Sequence, residues 1–150
     1  MKNNAQKKLS EFNIKPSLHR IAVLQYLMDH YTHPDVDTVF NALSHKIPTL
    51  SKTTIYNILK LLSKSGVIRC VTIDEKTQRF DADTSEHVHF KCKHCGKIID
   101  LPVLDNSIKI KNTQKLKIDE MDIFLYGTCP LCKPPSKKTV SNALKSKSSK

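Results

Sequence analysis

The sequence predicts an α+β fold: a helical N-terminal unit closed by a short β-hairpin, then a smaller unit built on strands and four cysteines. Three observations carry this expectation. Between residues 2 and 65 the apolar side chains recur at helical spacing in four blocks, parted by proline or polar turn residues. Val67–Ile73 and Gln78–Asp81 then read as two strands around the polar turn Asp74-Glu75-Lys76-Thr77. Finally, Cys92-x-x-Cys95 and Cys129-x-x-Cys132 have the spacing of a closed tetrahedral zinc site, which ties the end of the chain back to its middle.

The first helix is expected over residues 2–13, with Ala5, Leu9 and Phe12 inward, and Pro16 stops it. Ser17 caps a second helix whose apolar positions are Ile21, Val23, Leu24, Leu27 and Met28. After the turn Tyr31-Thr32-His33-Pro34, Asp35 or Asp37 opens a third, with Val36, Val39, Phe40, Leu43 and Ile47 inward and Pro48 closing it. Ser51 caps a fourth helix, Lys52–Ser65, which buries Ile55, Ile58, Leu59 and Leu62 and ends at Gly66 in the left-handed conformation. Three helices followed by a two-stranded hairpin is the winged helix-turn-helix pattern. The outer face of the fourth helix groups Lys52, Thr53, Tyr56, Asn57 and Lys60, whose donors suit phosphates and base edges. An ordinary solvated face would also be basic, but would seldom gather Thr, Tyr and Asn at the N-terminal end, where a recognition helix meets bases.

Residues 1–82 thus read as a winged-helix DNA-binding domain, 83–86 as a hinge, 87–132 as a metal-binding domain and 133–150 as a disordered basic tail. In the second domain His87–Cys92 is a strand, Cys95-Gly96 a knuckle and Lys97–Leu101 the next strand. Residues 103–114 fit either helix or strand. Lys115–Tyr126 contains a further strand, with Ile123 and Leu125 on one face and Phe124 and Tyr126 on the other.

The net charge of +11 fits nucleic acid or an anionic surface as partner, or solubility alone. Six lysines lie in the tail from Lys133 to Lys150. No run approaches the ~20 apolar residues of a membrane span, and no secretory signal is visible behind Met1. A cytoplasmic protein with reduced cysteines is expected, which favours thiolate ligation over disulfides. Soft thiolates select zinc, and four of them leave no open position, so Cys92, Cys95, Cys129 and Cys132 read as a structural site. A redox C-x-x-C pair is the alternative. Cys70 is unpaired and reads as a small buried apolar residue. His87 and His89 stand at i and i+2 of a strand, so both imidazoles face one point while Val88 and Phe90 face a core; this fits a second, exchangeable metal.

The set His33-Pro34, Ser51-x-x-Thr54-Ile55-Tyr56-Asn57, Arg79-Phe80-Asp81, His87-x-His89, Cys92-x-x-Cys95-Gly96-Lys97 and Tyr126-Gly127-x-Cys129-x-x-Cys132 resembles the ferric uptake regulator family in motifs and in their order over residues 10–132. The resemblance implies a homodimeric, metal-dependent repressor of double-stranded DNA operators, with the second unit an α/β dimerisation domain. It places the regulatory metal on His33, Asp81, His87, His89 and Asp100, a nitrogen and oxygen set that suits Fe(II) or Mn(II) and would also take Zn(II). Read as single residues, His33 could be a turn residue, Asp81 and Asp100 surface acids, and His87 and His89 a surface pair.

Within the family the chain looks most like the peroxide-sensing branch, since the iron-sensing branch typically carries Glu where Asp81 stands and often where Asp100 stands. The family's additional metal site normally takes a histidine shortly before the second cysteine pair. Ile118-Asp119-Glu120-Met121-Asp122 offers none, so that site is not expected. The implied role is regulatory rather than enzymatic, with no membrane partner and peroxide as the one small-molecule signal. An iron- or manganese-responsive repressor is the alternative, and a thiol redox protein or zinc-ribbon interaction module the alternative class.

Overall fold

The computed structural model describes residues 3–74, 76–103, 114–117, 119 and 121–132. The expectations for 104–113 and for the tail from residue 133 lie outside these residues.

Four helices come first: α1 (Asn3–Glu11), α2 (Leu18–Asp29), α3 (Val36–Leu43) and α4 (Lys52–Lys64). Their starts follow the sequence signals. Ser17, Asp35 and Ser51 are extended N-cap residues whose side chains accept from the N–H of Arg20, Thr38 and Thr54, relieving donors that have no partner within the helix.

Two helices end in the same way. The N–H of Val67 bonds to the Leu62 carbonyl and that of Gly66 to Ser63, both at 3.0 Å, with Gly66 at φ 74°. The N–H of Ile14 bonds to Leu9 and that of Asn13 to Ser10, with Asn13 at φ 57°. Both are six-to-one closures with an apolar pair locked across the end, Leu62 with Val67 and Leu9 with Ile14. Asn13, a tolerated left-handed residue, therefore ends α1 ahead of Pro16. Phe12 lies past the helix and is left 40 % exposed, while Ile14 takes the inward position expected of it. α3 likewise stops at Leu43, before Pro48, in a run of tight turns.

The core of this unit joins Leu9, Leu24, Val39, Ile55, Leu59, Leu62, Val67 and Phe80. Each such side chain contributes about 1.5–3 kcal/mol on leaving water. β1 (Arg69–Val71) and β2 (Arg79–Asp81) form the antiparallel hairpin, with Cys70 opposite Phe80. The pairing is shorter than the strands expected from the sequence: Val67 and Ile68 are buried as core residues leading into β1, not as ladder residues.

The second sheet has strand order β4-β3-β5, from β3 (His87–Cys92), β4 (Ile98–Pro102) and β5 (Phe124–Gly127). β3 pairs antiparallel with β4 and parallel with β5. The register sets His89 beside Asp100 and Phe124, and Lys91 beside Ile98 and Tyr126. Directly paired residues share a face. One face of the sheet thus carries His89, Lys91, Asp100 and Phe124. It packs on the hairpin, where Val71, Ile73, Ile98 and Phe124 make a small second core. The other face carries Val88, Phe90, Leu101 and Leu125, of which Leu101 and Leu125 are exposed. Phe90 packs over Gly127, where a Cβ would sit 3.0 Å from its ring.

Candidate metal centres and nucleic-acid face

The hairpin packing brings together five side chains from separate parts of the chain. His33 comes from the turn before α3, Asp81 from the end of β2, His87 and His89 from β3, and Asp100 from β4. One ligand atom of each lies within 4.8 Å of all the others. His33 Nε2 is 2.9 Å from Asp100 Oδ1 and 3.5 Å from Asp81 Oδ2; His87 Nε2 is 3.0 Å from Asp81 Oδ2 and 3.0 Å from His89 Nε2. Donors held about 2.1 Å from one small divalent cation lie about 3–4 Å apart.

Hydrogen bonding does not account for this crowding. His33 Nε2, Asp81 Oδ2 and Asp100 Oδ1 are buried and have no hydrogen-bond partner among the described residues, although charged or polar atoms surround them. Buried polar atoms are rarely left so, and their lone pairs converge on one point. Asp81 is 4 % exposed and His89 2 %, so the reading of these two as surface groups does not hold, and His33, a turn residue, is itself only 2 % exposed. Asp100, with 32 % of its side chain exposed, forms the open rim. The cage fits a divalent metal with nitrogen and oxygen ligands.

The backbone supports the arrangement. Asp81 Oδ1 accepts the Asp83 N–H at 2.8 Å, leaving Oδ2 for the cage, and His87 Nδ1 meets the Ser85 carbonyl at 3.0 Å, which directs Nε2 inward. His33 has φ 49° although it is neither glycine nor free of a following proline, so the turn is strained to present its ring. Burial pushes the Asp81 carboxyl up, but the neighbouring His33, the Asp83 N–H and the His87 charge pull it below the usual carboxylate range. Burial, with His87 and His33 nearby, lowers His89, so its ring is neutral and able to ligate at pH 7.

The four cysteines form a second cluster, with their sulfurs within 4.8 Å of one another. Cys95 Sγ and Cys129 Sγ are 3.8 Å apart, the edge of a tetrahedron with zinc–sulfur bonds of about 2.3 Å. The N–H of Gly96 bonds to the Cys92 carbonyl at 2.9 Å, with Gly96 at φ 71°, and the N–H of Cys132 to Cys129 at 3.0 Å. Each pair is thus folded into a tight knuckle. Backbone N–H groups of Cys95 and Cys129 pull the Cys92 thiol down to about 5, while the thiols of Cys95 and Cys129 push Cys132 up to about 12. A cation that binds here displaces the thiol protons into solvent and takes all four sulfurs as thiolates. Cys70 stands apart, half-buried on β1, its thiol raised by burial.

Lys52, Thr53, Tyr56, Asn57 and Lys60 are all exposed along α4. Lys52 Nζ is 2.7 Å from Asp37 and 5.6 Å from the centre of the Phe40 ring, and Lys60 Nζ is 5.9 Å from that of Tyr56. Sequence reasoning missed part of this face. Lys15, just before α2, and His19 and Arg20 in its first turn line one groove with Thr54 and Asn57. The signal was their basic charge beside the Ser17 cap. It also missed the ion cluster of Asp74, Arg79 and Lys91, since neither the hairpin turn that joins the first two nor the packing that adds Lys91 announces a pairing of charges in sequence.

The sequence pattern of the ferric uptake regulator family matches residues 11–126. The chain is 34% identical over 127 residues to the peroxide operon regulator of Bacillus subtilis (strain 168), covering 83% of this chain and 88% of that protein. It is 32% identical over 128 residues to the peroxide-responsive repressor PerR of Staphylococcus epidermidis, covering 83% and 85%. Among solved structures, the ferric uptake regulator of Helicobacter pylori, described with three functional metal-binding sites, shares the fold at TM-score 0.67 and 24% identity, covering 90% of this chain and 92% of that one.

Proposed function

The chain belongs to the ferric uptake regulator family, and from that premise we propose that it is a metal-dependent, DNA-binding transcriptional repressor that senses peroxide. The observation that carries the reading is the buried five-residue cage. His33 and Asp81 come from the helical unit and its hairpin, and His87, His89 and Asp100 from the second sheet, so one ion held by all five fixes one unit against the other. In this reading residues 1–82 bind DNA, 83–86 act as the hinge and 87–132 form the dimerisation domain. Fe(II) or Mn(II) occupies the cage, and Zn(II) the cysteine cluster.

Lys52, Thr53, Tyr56, Asn57 and Lys60 then meet DNA from α4. The exposed apolar pair Leu101 and Leu125, on the sheet face away from the hairpin, supports a homodimer. In a dimer the angle between the two units sets the separation of two recognition helices, which must match half-sites about one helical turn or a multiple apart. A full swing of that equilibrium needs about 5.5 kcal/mol of difference in metal affinity between the two states.

Peroxide as the signal rests on the chemistry of the cage and on the two peroxide regulators reported above. When bound, Fe(II) supplies one-electron reduction of peroxide beside its ligands. His33 and His87 would present imidazole carbons there; replacing one ring C–H by C–O takes one oxygen from peroxide and releases the other as water, a two-electron change that peroxide itself supplies, and the altered ring no longer ligates as before. The cage then loses a ligand and the hinge relaxes off DNA. Asp100, 32 % exposed, is the cage residue that meets solvent.

The test loads the protein without oxygen with Fe(II) or Mn(II), adds peroxide near stoichiometry, and follows DNA release together with peptide masses. Release from the iron form with His33 or His87 heavier by one oxygen, and retention by the manganese form, is expected. Release with both histidines unmodified, or equal release from both forms, leaves the alternative: a repressor governed by iron or manganese affinity alone.

A further inference from the structure

We infer that Arg79 is a positioning residue that ties the His33 turn to the hairpin and so transmits the state of the cage to the DNA-binding unit. The inference rests on the metal-regulator reading above. Arg79 stands two residues before Asp81 on β2, so both side chains leave the same face of one short strand. Its Nη1 lies 3.5 Å from the His33 carbonyl and 3.9 Å from Asp35 Oδ2, and the N–H of Phe80 adds a bond of 3.1 Å to the Pro34 carbonyl. β2 therefore grips the His33–Asp35 turn at three successive residues. This grip holds His33 in its left-handed backbone, φ 49°, a conformation disfavoured for a residue with a Cβ.

The same guanidinium reaches the other way. Arg79 Nε donates to Asp74 Oδ2 at 2.8 Å, and Asp74 Oδ1 receives Lys91 Nζ. Lys91 lies on β3, two residues beyond His89 and on its face of the sheet. Tyr126 Oη, paired with Lys91 across the sheet, donates to the Ile73 carbonyl at 3.4 Å, one residue before Asp74. A continuous path runs from the His33 backbone through Arg79 and Asp74 to the strand that carries His87 and His89. It closes a loop whose other arm is the cage itself. Both arms join the same two units, so drawing the five ligand atoms together and seating the hairpin turn on β3 are one motion. A simple surface ion pair would stabilise without coupling; this one is 28 % exposed at Arg79 and 13 % at Asp74, and it holds a ligand's main chain.

The prediction concerns coupling, not binding alone. In the parent protein Mn(II) raises affinity for DNA by some factor, and linkage requires DNA to raise Mn(II) affinity by the same factor. Arg79→Gln keeps all five ligands and cuts the path, so that factor falls at least tenfold while zinc content stays. Arg79→Lys keeps a cation for Asp74 but cannot also span to the turn, and shows the same loss. Asp74→Asn cuts the path at its other end without touching β2.

The probe is a duplex enriched from a random-sequence pool by the parent protein with Mn(II), titrated with and without Mn(II) at fixed salt. Loss of the factor in all three variants, with zinc content and unfolding midpoint near those of the parent, supports the inference. If the Arg79 variants fail to fold, Asp74→Asn decides alone. A parent-like factor in Asp74→Asn, or equal losses of affinity with and without Mn(II), overturns it and leaves the cluster a structural brace. A parent protein whose DNA affinity ignores Mn(II), and is unchanged by His33→Ala, overturns the metal-regulator reading itself.

Discussion

Replacing Asp81 by Asn isolates the charge of one cage residue from its shape. Asp81 Oδ1 accepts the Asp83 N–H at 2.8 Å, and an amide oxygen can keep that bond. Oδ2 lies 3.5, 3.0 and 3.6 Å from the Nε2 atoms of His33, His87 and His89, and there Asn places an NH2 group that donates but cannot ligate. Without divalent metal the variant therefore stays within about 1 kcal/mol of the parent, the net worth of one hydrogen bond.

With metal the two diverge. Loss of an outer partner of a ligand already costs 10–100-fold in affinity, so loss of the ligand costs about 100-fold or more. At a Mn(II) concentration of about 1,000 times the parent's Kd, metal stabilises the parent by about 4.1 kcal/mol and the variant by only about 1.4. The gap of about 2.7 kcal/mol corresponds to roughly 5–10 °C in Tm for a chain of this size. Thermal unfolding of zinc-loaded protein, with chelator and then with Mn(II), reads both quantities. A variant that gains as much from Mn(II) as the parent would remove Asp81 from the cage and refute the reasoning.

Three further outcomes are expected. Cys95→Ser should lose zinc and dimer together, because metal binding of this kind is folding free energy; a stable zinc-free dimer, seen by metal analysis and sedimentation, would contradict a structural site. Lys60→Ala should weaken all DNA sequences alike and lower the salt slope by about 1, whereas Asn57→Ala should relax preference at one base by about 1–3 kcal/mol; unchanged binding in both would move the interface away from α4. Burial raises the Asp74 carboxyl, but Lys91 and Arg79 outweigh it and hold the pKa below the ordinary value. Its stabilising contribution is therefore complete above pH about 4 and is lost as pH falls through the depressed pKa. The stability gap between parent and Asp74→Asn should close on acidification, and a gap that widens would contradict the ion cluster.

Much of the fold was legible because its signals are local. Ser17, Asp35 and Ser51 announce helix starts through their own side chains, and Gly66 announces an end through its lack of a Cβ. Asn13 ends α1 by the same geometry, but an asparagine is ambiguous in sequence where a glycine is not, and Pro16 nearby gave the louder signal. Strand lengths were less legible. Val67 and Ile68 have strand composition, yet they fill the core between α4 and the hairpin, a tertiary demand that composition does not record. At the site, His87 and His89 were legible from strand alternation alone, and the cysteines from spacing. His33, Asp81 and Asp100 were not. They lie 54, 6 and 13 residues from His87 by the numbering, and only the resemblance placed them; the hairpin packing on β3 is what brings them within 4.8 Å. Arg79 was quoted only as part of the Arg79-Phe80-Asp81 motif, and its pairing with the His33–Asp35 turn and with Asp74 was not legible.

The parallel pairing of β3 with β5 bears on how the chain assembles. The core of the helical unit draws only on residues from Ala5 to Ala82, so it can consolidate as soon as they are available. The second sheet must wait: a parallel partner for β3 arrives only after a long crossover, and Cys129 lies 34 positions beyond Cys95. Closing a flexible loop of that length costs about 3 kcal/mol in chain entropy beyond the constant term, before the four residues of β5 return any pairing. A cation gathering the two knuckles makes that closure at a single step. Maturation should therefore proceed in two stages, a quick local collapse followed by a zinc-limited one. Refolding the parent with and without zinc would separate them in time, with the helical signal recovering in both and the β3–β5 contact only in the first.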